Sequence, residues 1–284
     1  MSPQSIHPSK WRETCDPFAL RYTAFQLEEI LGYPHAGNDV FHVRGICGGR
    51  RRTAYLKAKR HHDSALEHEV HILKQLDAPV YPKVLDYDLE NGSFSVTEEL
   101  PGLRLSVIVG ENHDLVSLSY MEAYGKTFAG LHQLKVLSKG QEHRKFHDVP
   151  GKELLEKLDL SYLTAYFAQK PKQGETVFCH GDFHYANLLW QDHHISAVLD
   201  FELAGYGDRD FDIAWAVLLR PGQKFLKTDE ELEAFLRGYQ KRGTCDKAAV
   251  KYYMAQCYVH FLAFSDDEPE YGGYVRSWLE KNCR

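Results

Sequence analysis

Val177-Phe-Cys-His180-Gly181-Asp182-Phe-His-Tyr-Ala-Asn187-Leu-Leu-Trp190, followed by Ile195-Ser-Ala-Val-Leu-Asp200-Phe201-Glu202, is the stretch on which the reading of this chain turns. Apolar runs flank each polar cluster, and that pattern predicts short buried strands that deliver loops to one place. A buried segment keeps this many polar groups only where they have partners or a task. Asx side chains also cap turns, but Asp182, Asn187 and Asp200 form a spaced set between apolar runs, which capping alone does not explain.

Downstream of this stretch, helical patterns recur at 208–219, 229–241, 247–264 and 271–281. Upstream, Ser117 to Leu134 carries Tyr120, Tyr124, Phe128, Leu131 and Leu134 on one helical stripe, read as core packing. Lys152 to Phe167 reads as a further helix. Pro101-Gly102 breaks the chain, and a boundary is placed there: residues 1–100 as a β-rich lobe with one helix, residues 101–284 as a larger helical lobe.

The first hundred residues are strand-rich. Ala24 to Leu31 and Val40 to Arg44 are candidate strands, Gly45 to Arg50 reads as a turn, and Thr53 to Lys59 is the next strand. On that strand Tyr55, Lys57 and Lys59 share one face and Ala54, Leu56 and Ala58 the other. Asp63 to Leu76 is predicted helical, capped by Asp63 or Ser64. Val84 to Tyr87 and Phe94 to Leu100 are strands joined across Asn91-Gly92. The resulting class is α+β.

Composition narrows the functional classes. A formal charge of −6 and a pI of about 6.2 give no electrostatic basis for nucleic-acid binding. Arg50-Arg51-Arg52 is read as a solvated turn. No stretch reaches the ~18 apolar residues of a spanning helix, and Met1 to Lys10 has no apolar run. Six scattered cysteines without a C-x-x-C pair read as reduced thiols in a cytoplasmic protein. Nothing in the chain speaks to its oligomeric state.

Phosphoryl transfer needs a carboxylate to orient and deprotonate an acceptor hydroxyl, and oxygen ligands for the hard Mg²⁺ ions that bridge phosphates. Asp182 and Asn187 on one loop and Asp200 after the next hairpin supply that set. His180-Gly-Asp182 through Asn187-Leu-Leu, then Leu199-Asp200-Phe201-Glu202 and Asp212-Ile-Ala214, resembles the aminoglycoside phosphotransferase and choline kinase-like family.

The resemblance implies a protein-kinase-like two-lobed fold and transfer of the γ-phosphate of ATP to a small-molecule hydroxyl, with Mg²⁺. It implies Asp182 as catalytic base, Asn187 and Asp200 as Mg²⁺ ligands, and His180 and Asp212 as supports of the catalytic loop. Lys57 would contact the α/β-phosphates and pair with Glu69, although Lys59 and Glu67 are alternatives two residues away. Gly32 to Asn38 would cover the phosphates, ending at Asn38. Thr97 to Gly102 would be the hinge whose backbone, at Glu98 and Leu100, bonds adenine.

Two other classes stay open at this stage. His180, Asp182 and His184, with His193 and His194, have the spacing of a metal-dependent hydrolase site. A catalytically silent kinase fold acting as a binding protein is the other. The acceptor is unassigned among aminoglycosides, amino alcohols and sugars. The acidic, aromatic tail (Asp266, Asp267, Glu268, Glu270, Tyr271, Tyr274, Trp278) reads either as a solvated loop or as a pocket for a cation.

Overall fold

Gly48 and Gly49, at φ +57° and +72°, make a two-residue turn between strands β2 (Asp39–Cys47) and β3 (Arg50–Ala58), with Cys47 opposite Arg50. Positive φ at both central positions suits the twist of an antiparallel hairpin, and glycine adopts it without penalty. Both strands therefore run longer than expected. Gly45 to Cys47 lie inside β2 rather than in the turn, and Arg50, Arg51 and Arg52 open β3. Arg51 there pairs with Glu28 at 2.8 Å.

The computed structural model describes residues 15–34, 38–60, 64–90, 93–110, 114–223, 225–264 and 268–284. The residue 63 cap, the Asn91-Gly92 turn, residues 35–37 of the expected phosphate loop, Asp266, Asp267 and the extreme N-terminus lie outside them. The chain divides into two units, Met1–Pro101 with Ser196–Leu203, and Gly102–Ile195 with Ala204–Arg284.

The first unit is a five-stranded antiparallel sheet in the order β1-β2-β3-β5-β4, with β1 at Phe25–Gly32, β4 at Val84–Asp88 and β5 at Phe94–Glu98. Strand alternation puts Phe41, Val43, Ala54, Leu56, Ala58, Phe94 and Val96 into one buried layer. Lys57 points to the other face, where helix α1 (Leu66–Leu73) lies. This helix starts later than predicted. Ala65 is its N-cap without a side-chain bond, and the Ala65 N–H donates instead to Glu202 at 3.3 Å.

Residues 196–203 complete this unit. Ser196 Oγ donates to Pro101 O (2.6 Å), Val198 N–H to Val80 O (2.9 Å), and Phe201 is fully buried against Tyr81.

The second unit is mainly helical. It contains α2 (Leu105–Val109), α3 (Asp114–His132), α4 (Lys152–Lys157), α5 (Thr164–Phe167), α6 (Arg209–Val217), α7 (Asp229–Gln240), α8 (Lys247–Leu262) and α9 (Pro269–Asn282). Tyr120, Tyr124, Phe128 and Leu131 of α3 are buried as the stripe predicted. α7 begins with a reciprocal cap, in which Thr228 Oγ1 accepts from Glu231 N–H and Glu231 accepts from Thr228 N–H.

The single helix expected over 152–167 is two. Asp159 adopts φ +54°, and the Leu158 carbonyl accepts Arg276 Nη1 at 2.7 Å. A tertiary donor thus takes the place of the next intrahelical bond. Short strands β6 (Thr176–Cys179) and β9 (Gly205–Asp208) pair antiparallel; β7 (Leu188–Gln191) and β8 (His194–Val198) lie between them in sequence. No helix among the described residues is long and apolar enough to cross a membrane.

Candidate active site

The loop that leaves β6 is shaped from below by α6. Asp208 caps this helix by accepting the Asp210 and Phe211 N–H groups, and the first turn then presents Asp212, which is 1% exposed. Asp212 Oδ2 accepts the His180 N–H at 3.0 Å, and Oδ1 accepts the Gly181 N–H at 3.1 Å. His132 Nε2 lies 3.2 Å from Oδ2, while its Nδ1 faces Tyr239 Oη at 2.7 Å. One buried carboxylate therefore fixes two consecutive peptides of the loop. His180, fully buried, accepts the Asp182 N–H on Nδ1 at 3.2 Å.

These bonds present Asp182 in a defined pose. Its Oδ1 accepts Trp215 Nε1–H at 2.8 Å. Its Oδ2 accepts Asn187 Nδ2 at 3.0 Å and faces His184 Nε2 at 3.2 Å. His184 Nδ1 accepts the Ala186 N–H, so the ring proton sits on Nε2 and is donated to Asp182. Asn187 also donates to the Asp182 carbonyl at 3.0 Å, which closes the loop on itself. Burial alone would raise the Asp182 carboxyl. The His184 hydrogen bond, the Arg220 charge and the Trp215 N–H outweigh it and hold the group well below the usual carboxylate range. The side chain keeps 25% of its surface exposed, enough to meet a ligand.

In the first unit, Lys57 Nζ lies 2.6 Å from Glu69, 3.2 Å from Asp200 and 3.1 Å from Glu202. Lys57 and Glu69, expected from sequence to pair, lie together in this cluster, and Lys59 and Glu67 have no part in it. Burial works to lower the lysine, and the three carboxylates more than reverse it. Burial pushes the Glu69 carboxyl up, and Lys57 opposes that. One ammonium faces three carboxylates, whose oxygens approach within 4.8 Å of one another. Asp200 sits at φ +66°, a strained conformation for a non-glycine residue. Glu69 Oε1 accepts the Phe201 N–H at 3.1 Å, which helps to hold that backbone.

The other nucleotide-site candidates fall in the same unit. Asn38 is buried, and its amide donates to Glu202 at 2.6 Å, so its side chain braces the cluster. Glu98 accepts the Lys83 N–H on its carboxylate at 3.1 Å and gives its own N–H to Lys83 O at 2.9 Å. Leu100 lies beyond the end of β5, with no backbone hydrogen bond among the described residues.

The structure brings Asp182, Asn187, His180 and Asp212 together in the second unit, and Lys57, Glu69, Asp200 and Asn38 in the first. His180, Asp182 and His184 do not converge as metal ligands among the described residues. His180 and His184 each spend Nδ1 on a backbone N–H, and His193 stacks on Tyr120. Two participants went unread. Glu202 and Trp215 carry no role in the sequence reading, although the spacing of three between Asp212 and Trp215 on a helix is the signal that both address one loop.

The profile of a family described as the phosphotransferase enzyme family matches residues 32–251. An aminoglycoside 3'-phosphotransferase of Niallia circulans is 27% identical over 260 residues, spanning 81% of this chain and 94% of that protein. Among solved structures, the macrolide 2'-phosphotransferase MphH of Brachybacterium faecium matches with a TM-score of 0.55 at 20% identity, covering 92% of this chain and 94% of that one. A thermostable mutant of aminoglycoside phosphotransferase APH(4)-Ia, in ternary complex with ADP and hygromycin B, matches with a TM-score of 0.59 at 14% identity, covering 93% and 95%. At these identities the two structures show the shared fold, the protein-kinase-like α+β class expected from the sequence.

Proposed function

Because the chain belongs to the phosphotransferase enzyme family, we propose that it transfers the γ-phosphate of ATP to a hydroxyl of a small molecule, with Asp182 receiving the hydroxyl proton. The observation that carries this reading is the state of the Asp182 carboxylate: ionised, partly exposed and held by Trp215, Asn187 and His184. Oδ2 is occupied by two donors, whereas Oδ1 accepts one and keeps a lone pair for the acceptor O–H. A carboxylate of such low basicity orients the hydroxyl first. It takes the proton as the new O–P bond forms and the bond from Pγ to the leaving ADP oxygen breaks, in keeping with a loose transition state.

The nucleotide assignment draws on the family and on the ADP carried by the APH(4)-Ia relative. Lys57 is the residue proposed to face the α/β-phosphates, and the backbone of Glu98 and Leu100 the segment proposed to bond adenine. The donor chemistry around Asp200 fits Mg²⁺, being all oxygen with two more carboxylates than ammonium groups. Asn187, whose Nδ2 is spent on Asp182, has its amide oxygen left for the same role. When bound, the ion offsets phosphate charge. Residues 1–100 are proposed as the nucleotide-binding part and 101–284 as the part that carries the acceptor. The cytoplasm is the proposed compartment, supported by six free cysteines.

Asp182→Ala is expected to lower turnover at least about a hundredfold, read by ADP release with product identified by mass, while calorimetry finds ATP binding nearly intact. Unchanged turnover would remove Asp182 from this role. Asp200→Ala is expected instead to abolish Mg²⁺-dependent nucleotide binding, and retained Mg·ATP affinity would count against it.

A further inference from the structure

Trp215 is more than a hydrogen-bond donor to Asp182. Arg144 and Arg220 both place their guanidinium groups over its ring, 4.5 and 5.0 Å from the centroid. The ring itself is fixed by Phe146, at 4.9 Å between centroids, and is 5% exposed. Stacked cations of this kind are held in place without a countercharge. Arg144 donates to the Gly181 carbonyl at 2.8 Å, and Arg220 to the Trp215 and Leu218 carbonyls at 2.9 and 3.3 Å. Neither side chain is paired with a carboxylate in these bonds, and a guanidinium has more N–H donors than they use.

Two carboxylates act on Arg144, Asp182 and Asp212, and Asp212 is already engaged by the His180 and Gly181 N–H groups. Burial, then the Arg144 and His143 charges, push the His147 imidazole down to about 4, so it is neutral at pH 7. Burial lowers His260 as well. Two fixed cations and one carboxylate therefore share this indole. Arg220 also lines a cavity of about 400 Å³, with Lys227 as a further cation on its wall. Glu268 and Glu270 line it too, and the Glu268 carboxylate accepts the Gly222 N–H at 3.1 Å.

We infer that the acceptor alcohol carries an oxyanion, a carboxylate or a phosphate, which Arg144 and Arg220 receive while its hydroxyl meets Asp182. The inference rests on the phosphotransferase reading above and narrows its substrate class. Planar guanidinium groups match carboxylate and phosphate oxygens in pairs. An ammonium-bearing acceptor, the alternative that the acidic tail raised from sequence, would face two like charges at the same place.

The test compares one sugar in four forms: glucose, glucuronic acid, glucose 6-phosphate and glucosamine, with kanamycin as a polycation and a set of short hydroxy acids. ADP release and product mass are followed with the full-length enzyme and with Asp182→Ala as control. Anionic acceptors are expected to exceed the neutral sugar in kcat/KM by at least about tenfold, with an advantage that shrinks as salt rises. The carboxylate and phosphate arms show which oxyanion is preferred. Arg220→Gln and Arg144→Gln are expected to raise KM for the anionic acceptor at least about tenfold and to leave KM for ATP unchanged, with Arg220→Lys intermediate. Melting curves confirm folding, and Arg220→Lys carries the comparison should a glutamine variant fail to fold.

Preference for glucosamine or kanamycin, product from none of the anionic compounds, or selectivity untouched by the arginine variants would each overturn the inference. In those cases Asp182-dependent ADP formation with neutral or cationic acceptors leaves the phosphotransferase reading standing. Its absence with every acceptor overturns both.

Discussion

The Asp86 carboxylate, 4% exposed on β4, accepts the N–H groups of Thr23, Ala24 and Phe25 at 2.8, 2.8 and 2.9 Å and the Thr23 hydroxyl at 2.7 Å. It sets where β1 begins. Burial works to raise this carboxyl, and the hydrogen bonds reverse that and lower it. Its contribution is therefore complete above the unfolded carboxylate pKa and is lost as pH falls through the lower folded value. Asp86→Ala is expected to cost about 3 kcal/mol at pH 7, by leaving several backbone donors without acceptors. Urea midpoints check this: the gap between wild type and variant should be wide at pH 7 and narrow in strong acid.

At this scale Asp182, Asn187 and Asp200 were legible because their spacing sits between apolar runs. Trp215, Arg144 and Arg220 were not, since their meaning depends on contacts between residues up to 71 positions apart in sequence.

Among the elements, α3 and α7 approach so closely that side chains would not fit between them. A Cβ on Gly125 would lie 2.0 Å from the Phe235 carbonyl oxygen, and one on Gly238 2.1 Å from that of Glu122. Backbone rather than a flexible side chain is the obstacle, so the helices must separate to admit a methyl group. Gly125→Ala is expected to destabilise by about 1–3 kcal/mol despite alanine's better helix propensity, as overpacking does. A denaturant midpoint equal to or above wild type would contradict the close approach. α6 to α9 were readable from helical periodicity, because each buries a broad face. The split of 152–167 was not, because Arg276, the donor that ends α4, arrives from a helix more than a hundred residues away. The start of α1 was misplaced for the same kind of reason, its cap coming from Glu202.

For the molecule as a whole, the division into units does not follow the order of the chain. Residues 196–203 bring Val198, Phe201, Asp200 and Glu202 to the unit otherwise built from the first 101 residues. A fragment of residues 1–101 would lack the ring that packs on Tyr81, the acceptor of the Ala65 N–H and two of the three carboxylates around Lys57. That fragment is expected to melt without a cooperative transition by far-UV circular dichroism. Addition of the 196–203 peptide in trans is expected to restore part of it. A cooperative melt of the fragment alone would show the eight-residue segment to be dispensable.

The return of this segment has a consequence for biosynthesis. The five-stranded sheet leaves the ribosome about a hundred residues before Phe201 does, a lag of roughly 5–20 s at common translation speeds. Through that interval the nascent chain carries Tyr81 and the Lys57–Glu69 pair uncovered. Its N-terminal part is finished only when most of the polypeptide has been made.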